Sequence, residues 1–142
     1  MITLRLATIV CAFALVTSMP AVAATATTYI LPQDVHWIPL TGKGVPPGGF
    51  RANLRGTEDD TCGQLISRRF ADGYTYPWHV NGVYGIYIIL KGTLVLGFDK
   101  NHAKSGEKSL PAGSVLQGLE SEPHYGRAIG ETIFDVYVPC KK

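Results

Sequence analysis

Helical periodicity is the feature this sequence lacks most plainly. No stretch of the chain repeats its apolar residues at a sustained 3.6-residue spacing, which excludes a bundle or any fold built on amphipathic helices. Cysteine is scarce, at three in 142 residues, so disulfides cannot substitute for a hydrophobic core. Charge of one sign is lacking too: the formal net charge is +2, and Lys and Arg are scattered among Asp and Glu. That distribution speaks against a nucleic-acid groove. The apolar run from Leu6 to Val16 is too short to span a bilayer. There is no internal repeat and no second domain's worth of chain.

What is present begins with a tripartite leader. One positive residue, Arg5, precedes the Leu6–Val16 run, and Ala21-Val22-Ala23 stands before Ala24. This is the layout of a secretory signal peptide over residues 1–23, cleaved after Ala23, with an uncleaved anchor as the alternative. The expected location is therefore periplasmic or secreted, with no membrane span after processing. Processing removes Arg5, leaving a charge of about +1, and removes Cys11. Cys62 and Cys140 remain as an even pair in an oxidising compartment, so a disulfide between them is expected, with a reactive thiol as the alternative. Such a bond closes a loop of about eighty residues and contributes about 4 kcal/mol on the loop-entropy model.

Residues 24–33 are small and polar, a flexible lead-in to a domain over residues 34–142. Within it, Asp34–Leu40 reads as a short strand and Thr41–Gly49, rich in Gly and Pro, as a loop. Phe50–Leu54 and Cys62–Phe70 follow as strands around the polar turn Arg55–Thr61. Tyr84–Leu90 and Thr93–Phe98 are β-branched and aromatic runs interrupted by Lys91-Gly92, which reads as a hairpin turn. Asn81-Gly82 reads as another, of type I′. Gly97–Gly106 is a polar loop, Ser114–Leu119 a short strand and Glu131–Val138 a final one, with Phe134, Val136 and Val138 on one face. Many short strands with frequent Gly and Pro predict an all-β sandwich or barrel.

One constellation carries chemistry. Gly73 is followed by His79, Asn81, Gly85 and Gly92, a spacing that resembles the first motif of the cupins: Gly, five residues, His-x-His, three or four residues, Glu, six residues, Gly. Leu110-Pro111-Ala112-Gly113-Ser114-Val115, with His124 eleven residues after Gly113, resembles the second. Asp34-Val35-His36-Trp37 and Glu131-Thr132 sit where small bacterial cupins have similar residues, so the resemblance covers nearly the whole mature chain. It implies a cupin-type jelly-roll β-barrel (double-stranded β-helix). It also implies a pocket where three histidines and a carboxylate hold iron, manganese, nickel, copper or zinc.

This sequence departs from that pattern at two ligand positions. Asn81 stands where the motif has a second histidine, and Gly85 where it has the carboxylate. Two imidazoles and an amide leave a divalent cation uncompensated, so any metal is expected to be weakly bound or absent. Glu122, two residues before His124, would share its face in an extended strand and supply a carboxylate. A solvated loop at Leu119–Pro123 is the alternative. The pocket residues are thus His79, Asn81, Tyr87 and His124, and the metal candidates His79, His124, Asn81 and Glu122. Simple alternation puts Tyr76 off the face of His79 and Tyr87 on the face of Gly85. Dropping a side chain at position 85 enlarges the cavity. His36 and His102 have no motif around them.

Three functions fit these residues. The first is a barrel that binds a small organic molecule through His79, Asn81 and His124. The second is a metal-dependent enzyme, an oxygenase or isomerase, built on His79 and His124. The third is a structural or interaction barrel that homodimerises through strands.

Overall fold

A computed structural model describes residues 27–101 and 104–140. The leader, residues 1–23, and His102 lie outside the described residues. Among the described residues no helix is long and apolar enough to cross a membrane.

Among the described residues eight strands follow one another: β1 (Ile38–Pro39), β2 (Gly49–Arg55), β3 (Gln64–Phe70), β4 (Thr75–His79), β5 (Gly85–Gly97), β6 (Lys108–Pro111), β7 (Val115–Gly118) and β8 (His124–Val138). Every pairing is antiparallel. The long strands β5 and β8 pair along most of their length and belong to both halves of the structure. The first half of β5 lies between β7 and the end of β8, which continues through β3 and β2 to β1. Its second half lies between β6 and the start of β8, which is flanked by β4. This is the expected jelly-roll barrel.

Lys91-Gly92 is not a hairpin. It lies inside the continuous strand β5, where the register with β8 shifts on both sides of Lys91. The apolar pattern explains why a bulge serves better than a turn. Tyr87 and Ile89 point inward before it, and Leu94 and Leu96 after it. An unbroken alternation starting from Ile89 would turn Leu94 and Leu96 to solvent. Gly92 makes the corner at φ +70°, and a Cβ there would fall 2.5 Å from the Glu131 carbonyl oxygen and 2.6 Å from Thr132 Oγ1. Thr132, fully buried, donates from Oγ1 toward the carbonyls of Thr93 at 3.2 Å and Gly130 at 3.1 Å.

Asn81-Gly82 is not a type I′ hairpin either. Only Gly82 has positive φ, and the bend joins β4 to β5, which do not pair; the Gly82 amide donates instead to the Glu120 carbonyl at 2.9 Å. At the N-terminal end, the predicted strand Asp34–Leu40 shortens to Ile38–Pro39, because Pro32–Asp34 turns as a 3-10 helix. β4 and β6 go beyond the strands read from sequence, as does the first half of β8.

The core gathers Phe70, Tyr74, Tyr87, Ile89, Leu94, Leu96, Phe134, Val136 and Val138 between the two halves. Cys62 and Cys140 are bonded across a sequence separation of 78. The bond joins the approach to β3 to the end of β8, beside the hydrogen bond from the Gly63 amide to the Val138 carbonyl.

Candidate functional site

The barrel encloses a cavity of about 400 Å³, within the size range of small-molecule sites. Aromatic and aliphatic side chains from β3, β4, β5 and β8 form its wall, Phe70, Tyr76, Leu94, Leu96 and Phe134 among them. His79, Asn81, Tyr87 and His124 all line it, so the four predicted pocket residues meet in one place.

Strand pairing brings the histidines together. His79 ends β4 directly opposite His124 at the start of β8, and their ring centroids are 4.4 Å apart. Each imidazole is held the same way. His79 Nδ1 faces the Pro77 carbonyl at 2.9 Å, and His124 Nδ1 the Glu122 carbonyl at 2.8 Å. An Nδ1–H donated to a fixed carbonyl selects the tautomer whose Nε2 lone pair is free, the arrangement by which proteins orient histidine ligands and bases. His124 is 1% exposed. Burial holds its pKa below the usual imidazole range; the Glu122 carbonyl works against that shift and His79 adds to it.

His79 Nε2 is already engaged. It lies 3.0 Å from Asn81 Oδ1, and Asn81 Nδ2 donates to the Tyr87 hydroxyl at 2.6 Å. Because an amide rotated by 180° exchanges its donor and acceptor, the chain has two consistent states. A doubly protonated His79 donates to Oδ1, leaving the Tyr87 O–H free to donate into the cavity. A neutral His79 accepts from the amide N–H, and Tyr87 donates back to Asn81. Burial pushes the Tyr87 hydroxyl up to about 12, against the opposing pull of Arg68, so it remains a neutral donor and acceptor.

Gly85 explains itself through Tyr87. A Cβ on Gly85 would lie 2.8 Å from Tyr87 Cε2 and 3.1 Å from Val136 Cγ1. The Tyr87 ring therefore takes the space a carboxylate side chain would need. Glu122 is exposed ahead of β8 and contributes its backbone carbonyl to His124. Among the described residues no group of three or more His, Cys, Asp and Glu could hold a metal ion. The donors present form a two-imidazole half-site, with the third position, Asn81, committed to Tyr87. That set fits a hydrogen-bonding end wall and does not fit a closed four-ligand centre.

Two residues of the site were not read from sequence. Tyr76 lines the cavity, 5.2 Å from the His79 ring in an edge-on arrangement, contrary to simple alternation. The register of β4 on β8 shifts between Tyr76 and His79, because Pro77 has no N–H for the ladder and sits at an edge-strand bulge. Arg68 also lines the cavity. Its sequence signal is phase: Gln64, Ile66, Arg68 and Phe70 alternate onto one face of β3, so an arginine occupies an apolar stripe.

No protein-family model matches the sequence, and no curated protein does. Solved structures do match by shape. The polyketide cyclase RemF from Streptomyces resistomycificus superposes with a TM-score of 0.65 over 82% of this chain and 81% of that one, at 18% identity. A putative acetylacetone dioxygenase from Methylibium petroleiphilum gives 0.62 over 82% and 79%, at 15% identity. An RmlC-like cupin from Shewanella frigidimarina gives 0.59 over 82% and 95%, also at 15% identity. The fold is that of the cupin superfamily, as the paired motifs implied. The neighbours span different activities, so the function must be argued from the site.

Proposed function

We propose that this chain is an exported cupin-fold protein, periplasmic or secreted, that binds a small organic molecule in its barrel without needing a resident metal. The observation that carries the reading is the chain His79–Asn81–Tyr87. It turns two of the positions where the cupin motif has metal ligands into a hydrogen-bonding end wall facing an apolar cavity. The end wall offers an imidazole acceptor at His124 Nε2 and a hydroxyl at Tyr87, polar groups that orient a ligand whose apolar body fills the barrel. Amino-terminal sequencing of the protein from the exported fraction is expected to begin at Ala24.

A second reading has its own support. The matched Nδ1 anchoring of His79 and His124, with rings 4.4 Å apart, suits a divalent ion held by two imidazoles and completed by a substrate, as in a metal-dependent oxygenase or isomerase. Elemental analysis of the exported protein separates the two. The expected result is no stoichiometric metal after incubation with iron, manganese, nickel, copper or zinc. Near-stoichiometric metal that disappears in a His79→Ala, His124→Ala double variant would overturn the metal-free reading.

A further inference from the structure

We infer that the molecule held in this barrel is a small organic anion, an apolar body bearing one carboxylate, and that the Arg68 guanidinium is the group that binds its charge. The inference rests on the pocket reading above and adds the chemical class of the ligand.

The argument starts from an imbalance. Arg68 sits on the inward face of β3 among Ile66, Phe70 and Val136, and lines the cavity. Its neighbours on the barrel have partners: Arg51 pairs with Glu58, and Arg69 lies over the rings of Trp37 and Phe50. Among the described residues the Arg68 side chain has no ion pair and no hydrogen bond. None of the described residues lining the cavity is acidic. An arginine remains charged throughout the range in which proteins fold, so the cavity wall carries one uncompensated positive charge.

Arg68 is half-buried; holding an unpaired charge even partly away from water is costly, and chains keep one where function requires it. The surroundings show the cost. Burial lowers the pKa of Arg68 and Arg51 lowers it further. A planar guanidinium with a fork of donors matches a carboxylate in a bidentate pair. Tyr87 lines the same cavity as Arg68 and hydrogen-bonds to Asn81, so the cation and the histidine end of the pocket open onto one space. The aromatic wall, with Phe70, Tyr76 and Phe134, accommodates the apolar body.

The test uses the oxidised mature protein, with benzoate, its neutral isostere benzamide, and sulfate as probes. Binding is followed by two-dimensional NMR of the cavity-lining residues. Benzoate is expected to bind at least ten-fold more tightly than benzamide or sulfate. Arg68→Met is expected to weaken benzoate ten-fold or more, leave benzamide unchanged, and raise the melting temperature of the ligand-free protein by removing an unpaired charge. Arg68→Lys is expected to retain part of the benzoate affinity. Equal binding of benzoate and benzamide, or benzoate binding unaffected by Arg68→Met, overturns the anion inference and leaves the pocket reading standing. Sulfate binding as tightly as benzoate overturns the organic part of it. If neither benzoate nor benzamide shifts any cavity resonance, both the inference and the pocket reading fall.

Discussion

Tyr87 occupies the space that a side chain on Gly85 would need. A Cβ at position 85 would lie 2.8 Å from Tyr87 Cε2, and the Tyr87 hydroxyl accepts a hydrogen bond from Asn81 at 2.6 Å. Positions 85 and 81 are therefore coupled, because Tyr87 fills the space at the first and is hydrogen-bonded to the second. Introducing a carboxylate at position 85 alone should overpack the site. Gly85→Glu is expected to cost about 2–3 kcal/mol in urea denaturation, and Tyr87→Ala in the same chain to recover part of it. A double-mutant cycle showing additivity would sink the idea that the two positions share space.

His124 is buried with its pKa depressed, chiefly by burial. The unfolded chain then binds a proton on this group before the folded one does. Stability is full above the unfolded imidazole pKa of about 6.5 and is lost as pH falls from there toward the lower folded value. Denaturation midpoints should drop between pH 7.5 and pH 5, and His124→Gln should flatten the decline. An unchanged slope in that variant would assign the pH dependence to other groups.

Gly92 holds the corner of β5 at φ +70°, with the Glu131 carbonyl where a Cβ would go. Gly92→Ala meets both a left-handed backbone and a backbone clash, so the expected loss is about 3 kcal/mol or more. Gly113, also at positive φ but with nothing within 4 Å of a built Cβ, provides the control. Its alanine variant should lose only about 1 kcal/mol. Equal losses at the two glycines would show that the close approach at the corner carries no weight.

The Cys62–Cys140 bond closes a loop across 78 positions. Reduction, or Cys62→Ala with Cys140→Ala, is expected to lower stability by about 4 kcal/mol and the melting temperature by on the order of 15 °C. Calorimetry with and without reductant measures it. A shift of only a few degrees would mean that the unfolded chain is already compact around these ends.

Much of the fold was legible because its causes are local. Both halves of β5 and the end of β8 follow runs of β-branched and aromatic residues, and β2, β3 and β7 are short segments bounded by polar turns. The spacing from Gly73 to Gly92, with His124 beyond, pointed to His79, Asn81 and His124, which all line the cavity, although Asn81 reaches it from the bend after β4 and not from a shared strand face. The misreadings also have physical reasons. Lys91-Gly92 carries a turn-like pair, yet pairing with β8 on both sides makes it a bulge. Thr75–His79 was hidden by Pro77, which is tolerated here because β4 is an edge strand with a bulge.

By itself, the order of residues determined the all-β class, the jelly-roll motif pair, a glycine at position 85, and the availability of two cysteines for one bond. Only the tertiary structure decided what surrounds positions 81 and 85 and where the unpaired charge lies. Tyr87 reaches Asn81 because the chain folds back between positions 81 and 87, and His79 meets His124 because β4 pairs with β8. Arg68 meets the cavity because β3 closes the barrel against β8. The last two relations depend on pairing between strands distant in sequence, which residue periodicity does not encode; the chemistry of the pocket emerges only once the barrel is closed.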